Sequence, residues 1–157
     1  MNTDQAMTLA IKLAREATLA SGDVPVGAVI LNSQGEVVAL GGNERERSQD
    51  PTEHAEIVAI RRAAAVLGSW RLDGHTLVVT LEPCSMCAGA IVQSRISTLV
   101  FGAWDEKAGA VGSVWDVVRD PRVLSKVEVN AGVMADECAQ LLTDFFKGRR
   151  SGNIQAE

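Results

Sequence analysis

Two short segments set the strongest constraint on how this chain can fold: His54-Ala55-Glu56 and Pro83-Cys84-Ser85-Met86-Cys87. They carry one imidazole, two thiols and a carboxylate, and a fold that uses them together must bring two distant stretches to one point. Catalytic zinc commonly takes three His or Cys ligands and leaves the fourth corner to water, whereas structural sites usually close with four. One His and two Cys make an open set. Cys138 and His75 are the other candidates for a fourth ligand, but one lies in a distant helical pattern and the other in a turn, and neither has ligand spacing. Glu56 follows His54 by two positions, and residues so spaced point apart on a helix. His54, Cys84 and Cys87 are therefore the expected zinc ligands, and Glu56 is expected to face the water as a proton shuttle. The rival readings are a redox Cys-x-x-Cys pair and a plain packed histidine. Each explains one segment alone.

Hydrophobic periodicity supplies a scaffold able to bring the segments together. Ala6, Leu9, Ala10, Leu13 and Ala17 recur at helical spacing, which predicts an amphipathic first helix ending near Gly22. Val26 to Leu31 and Glu36 to Leu40 read as a hairpin around Asn32-Ser33-Gln34-Gly35. A polar loop from Gly41 to Pro51 leads to a helix that begins around Thr52 to His54 and runs to about Leu67. Thr76 to Leu81 and Thr98 to Gly102 read as buried strands flanking a helix from Cys84 to about Gln93. Such alternation implies parallel neighbours and right-handed crossovers, so the sheet is expected to be antiparallel at its start and parallel later. His54 and Cys84 then both fall at helix N-termini, where the dipole favours thiolate. Pro83 suits that position because its missing N–H costs nothing at a helix start. The Gly-rich stretch from Ala103 to Arg122, with Trp104 and Trp115, is long for a connection and reads as an ordered wall. Val127 to Val129 is expected as a last strand and Ala135 to Lys147 as a last helix.

Residues 1–150 are read as one domain and 151–157 as a flexible tail. With 3 cysteines, two of them in the metal motif, a disulfide framework is disfavoured and a reducing compartment is indicated. Asp4, Lys12, Arg15 and Glu16 interrupt the apolar residues of the N-terminus, so it reads as neither signal peptide nor membrane span, and the expected location is the cytoplasm. A formal net charge of −5 is unfavourable for a polyanionic partner. Any nucleic acid would need a local basic rim, for which Arg45, Arg47, Lys147, Arg149 and Arg150 are available. Cations at a helix end are otherwise explained by the dipole alone.

The His-x-Glu and Pro-Cys-x-x-Cys segments have the spacing of the zinc deaminases. Adding Pro25-Val26-Gly27-Ala28-Val29, Gly42-Asn43, Asp50-Pro51-Thr52-Glu53 and Thr80-Leu81-Glu82, the chain resembles the cytidine deaminase-like superfamily over nearly its whole length. Guanine and cytosine deaminases share these blocks. Phe101-Gly102-Ala103, Asp105, Lys107, Gly109-Ala110, Gly112-Ser113, Asp136-Glu137-Cys138, Asp144-Phe145-Phe146 and Arg149-Arg150 resemble the bacterial tRNA-specific adenosine deaminases. Glu53, where that family often has alanine, and Trp104 depart from the pattern. The resemblance implies a three-layer α/β/α fold around a mixed sheet of about five strands. It implies one Zn²⁺ per subunit, a homodimer, and hydrolysis of adenosine to inosine at the wobble position of a tRNA anticodon stem-loop. Deamination of a free base or nucleoside is the alternative. In this reading Glu56 moves protons, Asn43 bonds the base, and Val26 and the Ala55 backbone complete the pocket. Phe145, Phe146, Lys147, Arg149 and Arg150 meet flanking nucleotides.

Overall fold

The computed structural model describes the backbone of residues 1–156 and side chains as far as Arg149. Helix α1 (Thr3–Ser21) starts where Asn2 and Gln5 cap each other's backbone N–H and stops at Gly22, whose φ of 73° favours glycine. Strands β1 (Gly27–Leu31) and β2 (Val37–Gly42) form the expected hairpin. The loop that follows contains a one-turn helix, α2 (Arg45–Ser48), which is too short to show periodicity. Then come α3 (Ala55–Leu67), β3 (Thr76–Leu81), α4 (Ser85–Gln93), β4 (Thr98–Ala103), β5 (Glu128–Ala131) and α5 (Ala135–Ala156).

The 5-stranded sheet has the order β2-β1-β3-β4-β5. Strand β1 is antiparallel to β2 and β3, while β3, β4 and β5 run parallel. Alternation along the buried strands divides the core between the two faces. Ile30, Leu77, Val79, Leu99 and Phe101 pack against Ala55, Ala59 and Ala63 of α3 and Ala88 and Ile91 of α4. Val29, Leu31, Val78 and Val100 pack against Ala6, Met7, Ala10 and Ala14 of α1 and Cys138 and Leu141 of α5. Three layers result, with helices covering both faces of the sheet, in keeping with the expected fold. Burial on both faces also explains why β3 and β4 read as continuous apolar runs.

Alanine and glycine let the layers approach closely. A Cβ on Gly27 would stand 1.9 Å from the Ala10 carbonyl oxygen, and one on Gly41 would stand 2.4 Å from that of Ala55. The second approach seats the first turn of α3 on β2. Most boundaries fall within a residue or two of the sequence reading, and the last two elements differ for a physical reason. Strand β5 runs from Glu128 to Ala131 rather than Val127 to Val129: its side chains are mostly exposed, so parallel pairing with β4 defines it and hydrophobicity does not. Helix α5 continues beyond Lys147 to Ala156, where the apolar stripe no longer marks it. The side chains of Arg150 and of 151–157, where the sequence places the tail, lie outside the described residues. No helix among the described residues is long and apolar enough to cross a membrane.

Candidate active site

His54 and Cys84 each occupy the N-cap of a helix, α3 and α4, and neither side chain makes a capping hydrogen bond. Both are left for other chemistry. The capping task passes to Asn43 at the end of β2, whose Oδ1 accepts the Ala55 N–H at 2.8 Å while its Nδ2 donates to the Val24 carbonyl at 3.0 Å. This tie fixes the start of α3 against the hairpin and with it the His54 ring.

The crossovers bring His54 Nδ1 to 3.7 Å from Cys84 Sγ and 3.6 Å from Cys87 Sγ. Bonds of ~2.0 Å from nitrogen and ~2.3 Å from sulfur to a tetrahedral zinc put N and S about 3.5 Å apart, so this donor set fits the metal. The three ligand atoms lie within 4.8 Å of one another, and neither His75 nor Cys138 joins them. Cys138 is buried in the core, its sulfur occupying the space a Cβ on Gly102 would need.

Without a metal the three donors share protons among themselves. A hydrogen bond from Cys87, with a second from His54, draws the Cys84 thiol down to about 4. Cys87 is pushed up in return because it holds the shared proton. The Cys84 hydrogen bond raises His54 against the opposing effect of burial. Glu56, on the first turn of α3, is 4% exposed. Burial pushes its carboxyl above the ordinary range, opposed by a hydrogen bond from Cys87. A buried carboxylate raised in this way binds a proton more readily than one in water.

His54, Glu56 and Cys84 line a cleft of about 160 Å³ together with Val26, Asn43 and Asp105. The structure thus brings the expected ligands, the shuttle, Asn43 and Val26 to one place. The Ala55 amide adjoins them but is bonded to Asn43. A second groove, of about 500 Å³, shares Val24, Leu81, Asp105 and Ala108 with the cleft and is flanked by Trp104 and Phe146. Trp104 is held edge-on against Phe101, their centroids 4.9 Å apart. Phe145 and Arg149 are not at the cleft: Phe145 lies against α1 beside Leu19 and Pro25, and the Arg149 guanidinium sits 5.4 Å from its ring centroid.

Two buried carboxylates with defined roles escape the sequence reading. Glu82 is 2% exposed and accepts the N–H groups of Asp105, Val111 and Ser113 at 3.0, 3.0 and 3.1 Å, as well as the Ser113 hydroxyl. Gly109 lies so close that any Cβ there would strike the same carboxylate. Glu82 therefore clamps the long stretch after β4 to the segment that carries Cys84, which makes that stretch a wall. Asp23 does the like on the other side, accepting from Arg45 Nη2 at 2.6 Å and Nε at 3.1 Å. Nothing in local spacing marks either acid, since their partners are mostly backbone amides or residues distant in sequence.

Comparison with known proteins agrees with this geometry. Residues 1–103 match the zinc-binding region of cytidine and deoxycytidylate deaminases. The chain is 46% identical over 147 residues to a tRNA-specific adenosine deaminase of Haemophilus influenzae, covering 94% of this chain and 84% of that protein. A solved structure from studies of A-to-I editing by tRNA deaminases at the wobble position of transfer RNA superposes with a TM-score of 0.84. It is 43% identical, over 88% of this chain and 99% of that one. A guanine deaminase from Nitrosomonas europaea is also similar, at 26% identity and a TM-score of 0.76, over 92% of this chain and 84% of that one.

Proposed function

The chain belongs to the cytidine and deoxycytidylate deaminase family, and from that membership we propose that it converts adenosine to inosine at the wobble position of a tRNA anticodon, consuming water and releasing ammonia. The observation that carries the chemistry is the His54, Cys84 and Cys87 donor set with buried Glu56 beside it. The choice of substrate rests on similarity to the tRNA deaminases, in both sequence and structure.

His54, Cys84 and Cys87 would hold a zinc ion, which when bound would supply Lewis acidity and lower the pKa of a water to ~7. Glu56 takes the water's proton and returns protons to the ring nitrogen and the departing amine, a task suited to a carboxylate whose proton affinity burial has raised. Asn43 meets the base with the part of its carboxamide not engaged by Ala55 and Val24, and Val26 contributes an apolar wall. Ala55 serves through its amide, which holds Asn43 in place. Phe146 offers a face to a flanking nucleotide in the adjoining groove, and the contacts expected of Phe145, Arg149 and Arg150 rest on the family resemblance alone. The anticodon loop is single-stranded, so turning out its target base costs little. The enzyme works as a cytoplasmic homodimer with the site near the interface.

Mass spectrometry of anticodon stem-loops incubated with the zinc-loaded protein tests this reading. Inosine at the wobble position is expected. Turnover of guanine or cytosine with no inosine in RNA would replace it with a free-base deaminase.

A further inference from the structure

Asp23 is 1% exposed and plays no part in the proton transfers described above. Besides Arg45, it accepts the N–H of Val24 at 2.8 Å and of Glu46 at 3.2 Å, so the carboxylate is rigidly held. A buried acid of this kind gives little net stability over apolar packing, because desolvation offsets the Coulombic gain. Its value lies in what it orients. Arg45 lines the catalytic cleft and is the one lysine or arginine to do so among the described residues. The carboxylates around it, Glu56, Glu82 and Asp105, would repel an anion. Arg47 and Arg62 are engaged elsewhere, both with Glu44, at 3.8 and 3.0 Å. Asp23 grips the Nε and Nη2 edge of Arg45, and Nη1 has no acceptor among the described residues.

We propose that Arg45, held by Asp23, is a phosphate-binding residue of this site and receives the phosphodiester next to the target adenosine. The inference rests on the RNA-deaminase reading above. Every nucleotide inside an RNA loop brings a phosphate with it, and a protein of net charge −5 with an acid-lined cleft needs a placed cation there. The guanidinium fork suits both tasks, one edge on the carboxylate and the remaining N–H groups on phosphate oxygens.

The test measures inosine formation on an anticodon stem-loop across a salt series for the zinc-loaded wild type, Arg45→Gln, Arg45→Lys and Asp23→Asn, with zinc content and unfolding temperature checked for each. Arg45→Gln is expected to raise KM about tenfold, as for loss of one charged hydrogen bond. Its slope of log(kcat/KM) against log salt should flatten by about 0.7, one phosphate's worth for a single strand. Arg45→Lys keeps the charge and should keep the slope while losing part of the affinity. Asp23→Asn is the sharpest arm: generic electrostatics predicts tighter RNA binding on removal of an acid, whereas a misplaced Arg45 predicts weaker binding. Unchanged KM and slope in Arg45→Gln, or tighter binding in Asp23→Asn, would overturn the inference. A wild type that makes no inosine in RNA would instead defeat the reading on which it rests.

Discussion

Glu56 combines a short tether to His54 with nearly complete burial, which holds its carboxylate in place for the proton transfers proposed above. Glu56→Gln keeps the shape and removes the base. Its turnover is expected to fall by about 10²- to 10⁴-fold, the usual contribution of a positioned general base. Zinc content should be unchanged, and full turnover in this variant would refute the assigned shuttle. Cys87→Ala removes a ligand and is expected to lose bound zinc; a preparation retaining one tightly held zinc per chain would contradict the ligand set. Asp23 supplies a prediction about acid. Burial pushes its carboxyl up, but the Arg45 hydrogen bond and the amides of Glu46 and Val24 outweigh that, leaving it below its ordinary 3.8. A lowered pKa means stability that is fully present above the unfolded value and is lost as pH falls through the folded one. Denaturant titrations should therefore show the advantage of wild type over Asp23→Asn at neutral pH shrinking below about pH 4. At this scale the cluster of His54, Cys84 and Cys87 was legible because its donors are marked by side-chain type and spacing. Glu82 and Asp23 were not, because an acid that binds backbone amides leaves no partner motif in the sequence.

Among the elements, α3 and the wall after β4 carry the site. The first turn of α3 is seated on Gly41 and tethered by Asn43. Gly41→Ala forces a Cβ into the Ala55 carbonyl, and overpacking of this kind typically costs 1–3 kcal/mol, so about that loss is expected by denaturant unfolding. Zinc affinity should fall with it, since His54 sits on the displaced turn. A variant with unchanged stability and affinity would show that the turn is not pinned there. Periodicity located most elements well, because strands buried on both faces and amphipathic helices each leave a pattern. It missed α2, which is a single turn, and found β5 with its bounds shifted, because that pairing is a backbone property. It also could not show that the wall is tied down by Glu82, because the tie crosses from β3 to a loop beyond β4.

Across the whole molecule, a zinc ion held by His54, Cys84 and Cys87 would link two helices on one face of the sheet. A ligand that binds only the folded state stabilises it by mass action, about 4 kcal/mol at a thousandfold excess over Kd. For a chain of 157 residues that corresponds to a rise in Tm on the order of 10 °C. Calorimetry with and without a chelator measures this directly, and equal Tm values would mean that the metal does not join the folded framework. The amino-acid sequence alone determined the candidate donor set of one His and two Cys, the carboxylate beside it, the strand and helix order and hence the resemblance to a zinc deaminase on a layered α/β scaffold. Those features follow from side-chain chemistry and local periodicity, which are written residue by residue. Only the tertiary structure decided the 3.6 and 3.7 Å convergence at His54, the placing of Phe146 rather than Phe145 along the groove beside the cleft, and the burial of Glu82 and Asp23 as clamps on the two sides of the cleft. Each of these depends on segments distant in sequence meeting in space, and no local pattern encodes the distance between them.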